Sequence, residues 1–180
     1  MPTEALILTR LETAEEVSGF CCQQDPGAAD LEDFLKDNAL DYEHNKNVSR
    51  TYLAWQDGTL VGFFTLSCGS LRIREEGEEV KEVLRGDGLK GLTFSIPVVI
   101  LGRLATDDRH TRRGIGSELF RWAAIIARER VASQVGCRYL FVDAYEHRQT
   151  FYEGRGCEMI RGPKGKEPPK RIHLVLDLTA

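Results

Sequence analysis

The chain has 180 residues, 42% hydrophobic and 29% charged, with 24 Lys and Arg against 28 Asp and Glu for a net charge of −4. Such a chain makes one domain, residues 1–180, with a core large enough to fold unaided, and it shows no internal repeat or domain boundary. It has no apolar run long enough to cross a membrane, and Met1–Pro2–Thr3–Glu4 is no basic leader, so a cytoplasmic protein without a membrane partner is expected.

Five cysteines, Cys21, Cys22, Cys68, Cys137 and Cys157, form no C-x-x-C pair and leave one over, which argues against a disulfide framework and a zinc site. Reduced thiols are expected, with the adjacent Cys21 and Cys22 as a candidate redox pair. His44, His110, His147 and His173 lack ligand spacing, so no metal is expected. The charge is uneven: residues 1–90 hold 9 basic and 18 acidic side chains, residues 91–180 hold 15 and 10, so the halves carry −9 and +5.

Ala5–Leu6–Ile7–Leu8 is a candidate first strand. Asp30 to Tyr42 reads as a capped amphipathic helix, with Leu31, Phe34, Leu35 and Tyr42 on its apolar side. Asp57–Gly58 joins the apolar runs Tyr52–Trp55 and Leu60–Leu66 as a tight hairpin. From Gly69 to Pro97 the pattern reads as an insertion, with a polar stretch Glu75–Arg85 bounded by Gly86, Gly88 and Gly91.

Val98 to Thr106 is an apolar strand that runs into Arg109–His110–Thr111–Arg112–Arg113–Gly114–Ile115–Gly116. Asp107 and Asp108 are expected to cap the turn between them. Two glycines two residues apart allow a sharp turn and a close ligand approach. The N–H groups of the helical turn that follows point at an anion. The helix shows Ile115, Leu119, Trp122 and Ile126 at spacings of four, three and four, with Glu118, Arg121, Arg128 and Arg130 opposite and Gly136 as a stop. A dinucleotide fingerprint fails because Leu119 stands where its third glycine belongs, and no Walker loop occurs. Taken alone, the loop also fits an ordinary glycine-rich turn.

Arg138 to Ala144 reads as a further buried strand, and Phe151–Tyr152–Glu153–Gly154–Arg155–Gly156–Cys157 as a short helix closed by glycines. After the basic loop Gly162–Lys170, Ile172 to Leu178 forms a last strand. The strand, the R-R-G-I-G loop, the long helix, the V-D-A strand and the F-Y-E-x-x-G turn, over about residues 50–160, resemble the GNAT superfamily of acetyl-CoA-dependent N-acetyltransferases.

The resemblance implies an α/β GNAT fold: a mixed six- or seven-stranded sheet flanked by helices, with a parallel pair splayed at the cofactor. It implies that Thr111, Arg112, Arg113, Gly114, Ile115, Gly116 and Ser117 hold the pyrophosphate of acetyl-CoA. Main-chain groups of Leu104, Ala105 and Thr106 would pair with the pantetheine arm. Thr111 departs from the Q/R that opens the family loop, which leaves the charge to Arg109, Arg112 or Arg113 and one hydrogen bond to the Thr111 hydroxyl. Tyr152 matches the tyrosine that protonates the departing thiolate; by itself it also reads as an aromatic anchor. Tyr145 replaces an asparagine that bonds the CoA arm and is expected to shape the acceptor pocket or to stack on the ligand. No general base is assigned among Glu153, Glu146, Asp143 and His147.

The acceptor expected first is a primary amine of a small molecule or protein. Leu31–Leu35, Arg50–Leu53, Phe63–Leu66 and Leu101–Ala105 resemble a branch that includes toxins of toxin–antitoxin pairs, which implies an alternative: acetylation of aminoacyl-tRNA, with an antitoxin as partner. For tRNA phosphates, Lys164, Lys166, Lys170 and Arg171 beside Arg155 and Arg161 are the candidate contacts. A non-catalytic acyl-CoA-binding module is the reading from another class. The family also makes homodimers common, although no interface is legible.

Overall fold

The computed structural model describes residues 5–24, 28–72, 95–164 and 170–179. Its strands are β1 (Ile7–Arg10), β2 (Arg50–Gln56), β3 (Thr59–Arg72), β4 (Ser95–Thr106), β5 (Tyr139–Tyr145), β6 (Glu158–Lys164) and β7 (Arg171–Asp177). They hydrogen-bond in the order β1-β2-β3-β4-β5-β7-β6 in a mixed sheet, with β4 and β5 as the parallel pair. The chain divides into two compact units, 1–67 with 101–123 and 68–100 with 124–180, so β3 and β4 each contribute to both.

In the first unit, β1 pairs antiparallel with β2, and β2 with β3. Asp57 and Gly58 take φ of 50° and 72°, the two positive values that a two-residue hairpin turn needs, as the Asp-Gly pair predicts. β1 begins two residues later than the expected Ala5–Leu8, because the register Ile7↔Trp55 to Arg10↔Tyr52 is carried on by Leu11, whose N–H reaches the Thr51 carbonyl. Leu11 is fully buried whereas Ile7 is 66% exposed, so burial selects the later register.

The expected helix over Asp30–Tyr42 is longer and not uniform. α1 (Ala29–Asp33) passes through a wide, π-type turn at Phe34–Asn38 into α2 (Ala39–His44), and no side chain caps its start. Phe34 and Leu35 are buried as expected, in a core with Leu53, Phe63 and Ala105. Two carboxylates are buried too: Glu43 accepts the Thr51 N–H at 2.7 Å and pairs with Arg10, while Glu32 holds Lys36 at 2.6 Å.

The expected insertion is shorter than Gly69–Pro97. β3 runs on to Arg72 and β4 starts at Ser95, with Leu71, Ile96 and Val98 buried in the second unit's core beside Tyr139, Ile160 and Val175. The polar stretch Glu75–Arg85, its glycines and Lys166 lie outside the described residues.

α3 (Ile115–Ile126) follows the loop, and a second π-type segment carries helical structure on to Ala132, before Gly136. Its buried line is Ile115, Leu119, Ala123 and Ala127, with Phe120; the expected Trp122 and Ile126 are only half-buried. Small side chains let the helix lie close to the sheet, and Gly62 marks the contact. A Cβ there would stand 2.7 Å from Leu119 Cδ1 and 2.9 Å from the Ala105 carbonyl oxygen.

In the second unit, β7 pairs antiparallel with β5 and β6, and α4 (Gln149–Glu153) follows β5 through a 3-10 turn at Glu146–Arg148. Among the described residues no helix is long and apolar enough to cross a membrane. The described cysteines are free, and among the described residues no group of His, Cys, Asp and Glu has the geometry of a metal site.

Candidate active site

β4 delivers Leu104, Ala105 and Thr106 to the start of the glycine loop. The Asp107 N–H bonds the Val61 carbonyl of β3 at 2.9 Å, which fixes where the strand ends. A short 3-10 turn, Asp108–His110, is capped by Asp107, as expected. Thr111 then runs extended, and Arg112 and Gly114 take φ of 60° and 83°. Alternation of this kind turns successive N–H groups toward one side, the geometry of an anion nest. The Ser117 and Glu118 N–H groups bond the Gly114 carbonyl at 3.0 and 3.2 Å, so the helical ladder begins there and the earlier N–H groups stand outside it.

These residues fit a pyrophosphate. Thr111, Arg112, Arg113 and Gly114 are exposed, and a Cβ on Gly114 would meet nothing within 4 Å, so the nest opens outward. Two of the expected contributions change. Arg109 is not a free charge: its guanidinium holds the Asp107 carboxylate and the Gly19 carbonyl. The Thr111 hydroxyl donates to the Asp108 carbonyl at 3.3 Å instead of facing a ligand. The loop's open charge is therefore that of Arg112 and Arg113.

The Asp-Asp pair does more than cap. Four consecutive N–H groups of the segment before α1 are held by three carboxylates: Cys21 by Asp107 at 3.2 Å, Cys22 by Glu32 at 3.0 Å, and Gln23 and Gln24 by Asp108 at 2.8 and 3.3 Å. Burial alone would push the Asp107 carboxyl up, but the donors from Arg109 and Cys21 outweigh it and bring it down to about 2. Cys22 goes the other way: burial, then Glu32 and Asp108, push its thiol up to about 12, so the Cys21–Cys22 pair is a poor redox site. Nothing in the residue pattern marked Cys21–Gln24 as the partner of the loop; the consecutive aspartates after a strand were the available signal.

In the second unit, Tyr152 lies on α4 with 9% exposure, and its carbonyl accepts the N–H groups of Arg155 and Cys157 at 3.0 and 3.1 Å. Gly156, at φ of 85°, makes that reversal possible. Phe151 meets the Tyr152 ring edge-on at 5.0 Å, and Arg155 lies over Phe151 at 3.7 Å. Burial pushes the Tyr152 phenol up to about 12, so it carries its proton throughout the physiological range.

Tyr145, at the end of β5, stacks on His147 at 5.7 Å and lies under the Arg171 guanidinium at 5.0 Å. Arg171 in turn holds Asp143 at 2.9 Å, and Glu153 accepts Gln149 at 2.8 Å. These pairings leave neither Asp143 nor Glu153 as an evident base. They also commit Arg155 and Arg171, two of the expected phosphate contacts, to partners within the chain.

A mixed seven-stranded sheet with a parallel pair, and an anion nest between a strand and a long helix, define an acyl-CoA-dependent transferase of the GNAT class. The chain matches the model of the Acetyltransferase (GNAT) family over residues 12–157. It is 31% identical over 168 residues, 93% of this chain and 89% of the relative, to the tRNA-acetylating toxin of Mycobacterium tuberculosis (strain ATCC 25618 / H37Rv). Among solved structures it resembles AtaT complexed with acetyl-methionyl-tRNAfMet, with a TM-score of 0.74 and 22% identity over 97% of this chain and 96% of that one. A mutant AtaT toxin bound to the C-terminus of the antitoxin AtaR and acetyl-CoA gives a TM-score of 0.68 and 22% identity over 98% and 95%. The chain belongs to the GNAT acetyltransferase family and is an acetyl-CoA-dependent N-acetyltransferase that acts on an amine.

Proposed function

We propose that the chain transfers the acetyl group of acetyl-CoA to the amine of an aminoacyl-tRNA, and that a small antitoxin is its partner. The observation that carries this reading is the relative named for tRNA acetylation, aligned with 93% of this chain. The order of acceptors drawn from the residues alone is thereby reversed, with aminoacyl-tRNA ahead of a small-molecule or protein amine. The excess of basic side chains in residues 91–180 agrees with a polyanionic acceptor.

In this reading, N–H groups from Arg112 to Gly116 grip the pyrophosphate, with Arg112 and Arg113 adding charge. The pantetheine arm lies along Leu104–Thr106. The neutral amine attacks the thioester carbonyl, the adduct's extra nitrogen proton passes to water, and collapse expels the thiolate. Tyr152 donates its O–H to that sulfur. A phenol near 12 is a weaker acid than an ordinary thiol of about 8.5. Tyr152 thus stabilises the departing charge by hydrogen bonding, and the thiolate's net proton comes from the water that took the amine's. Tyr145, already stacked, shapes the acceptor side.

Label from acetyl-CoA, followed into the tRNA, protein and small-molecule fractions of an extract, tests the reading. Label in charged tRNA and not in deacylated tRNA supports it. Label confined to proteins or small amines replaces it.

A further inference from the structure

The direction of the pantetheine arm follows from chain order. The pyrophosphate sits at Arg112–Gly116, beyond the end of β4, so an arm that pairs with Thr106, Ala105 and Leu104 runs back along the strand, away from the nest. Its acetyl end then arrives beside Arg103, the next residue along β4.

Arg103 is an unusual cation. Its guanidinium carbon lies 3.4 Å from the centroid of the Phe34 ring, and the side chain is half-buried. Arg109, Arg138 and Arg171 are each paired with an aspartate, but among the described residues no carboxylate pairs with Arg103. Burial lowers its pKa, yet a guanidinium stays charged. Phe34 heads the wide π-type turn, and its ring meets Tyr42 edge-on at 5.4 Å, so the platform beneath the guanidinium is fixed on two sides. Interruptions of this type in a helix recur at functional sites.

A fixed planar fork of N–H donors over an aromatic ring matches the oxygens of a phosphodiester. In an aminoacyl-tRNA the phosphate nearest to the reacting amine is that of the terminal nucleotide, one ribose away.

We infer that Arg103 is an acceptor-binding residue whose guanidinium takes a phosphodiester oxygen of the 3′-terminal nucleotide of aminoacyl-tRNA. The inference rests on the acceptor proposed above.

The test compares wild type, Arg103→Gln and Arg103→Lys for KM toward aminoacyl-tRNA at several salt concentrations, with acetyl-CoA affinity by calorimetry as the check on folding. Arg103→Gln is expected to raise KM about tenfold and to lower the slope of log KM against log salt by about one. Arg103→Lys keeps the charge and is expected to keep most of the slope, while both variants bind acetyl-CoA as wild type does. An unchanged KM and slope in Arg103→Gln, in an enzyme that does acetylate aminoacyl-tRNA, overturns this contact alone. A wild type inactive on aminoacyl-tRNA removes the acceptor and the contact together.

Discussion

The fully buried carboxylate of Asp107 holds the guanidinium of Arg109 through Nε and Nη2, each at 2.8 Å, two residues along the chain. The same carboxylate takes the N–H groups of Arg109 and Cys21, so one side chain ties the strand end, the nest and the segment before α1. Asp107→Asn keeps the shape but loses the charge that organises these donors. It is expected to raise the KM for acetyl-CoA by about tenfold or more, with a smaller change in kcat, because the nest is displaced and the chemistry is not. Steady-state kinetics at saturating acceptor reads that split; a fall in kcat alone contradicts it.

The same residue gives a pH dependence. Its folded pKa, about 2, lies below the ordinary aspartate value of about 3.9. The stabilisation is thus complete above the unfolded value and is lost as pH falls from about 4 through about 2. Acid unfolding followed by circular dichroism is expected to lose this component in Asp107→Asn. Identical acid limbs in the two proteins refute the assignment.

Gly62 sets how closely α3 approaches β3. In Gly62→Ala the new Cβ meets the Leu119 methyl, which can rotate, and the Ala105 carbonyl, which cannot. The expected cost is about 1–3 kcal/mol, typical of overpacking. Trimming the helix in the double variant Gly62→Ala, Leu119→Ala should not restore stability, since the carbonyl contact remains. Thermal denaturation of the single and double variants measures this.

Arg112 occupies a left-handed conformation that glycine adopts without strain. Arg112→Gly is expected to stabilise the fold slightly or leave it unchanged, and to weaken acetyl-CoA binding several-fold by removing an open charge. Opposite movements of Tm and affinity support a nest whose strain serves binding. Tighter binding in the variant would speak against Arg112 as a contact.

The positions of these residues show what a linear pattern can carry. The Asp57–Gly58 hairpin, the nest and the Tyr152 turn were legible because each depends on local chemistry: positive φ, exposed N–H groups, a glycine-closed reversal. The buried face of α3 was read one step off, since Trp122 weighs heavily in a hydrophobic period while Ala123 and Ala127, which actually lie against the sheet, weigh little. The burial of Glu32 and Glu43 was not legible in the sequence. Their burial depends on donors distant in sequence, Cys22 and Thr51, which no period reveals. Arg109 was one of three candidate sources of the loop's charge with Arg112 and Arg113, and its engagement was hidden for a similar reason: its partner Asp107 is adjacent, but the burial of that carboxylate comes from the fold. Arg155 and Arg171, two of the candidate phosphate contacts, each have a partner within the chain, the Phe151 ring and the Asp143 carboxylate, that their place in the sequence did not announce.

The most direct test of the central claim is chemical identification of the product. Charged tRNA is incubated with acetyl-CoA and either wild type or Tyr152→Phe, and the amino acid released from the tRNA by mild base is identified by mass spectrometry. The account predicts an N-acetylated amino acid with wild type, and about 10²-fold slower formation with Tyr152→Phe at nearly unchanged acetyl-CoA affinity. An unmodified amino acid released by an enzyme that transfers acetyl groups to another amine would contradict it.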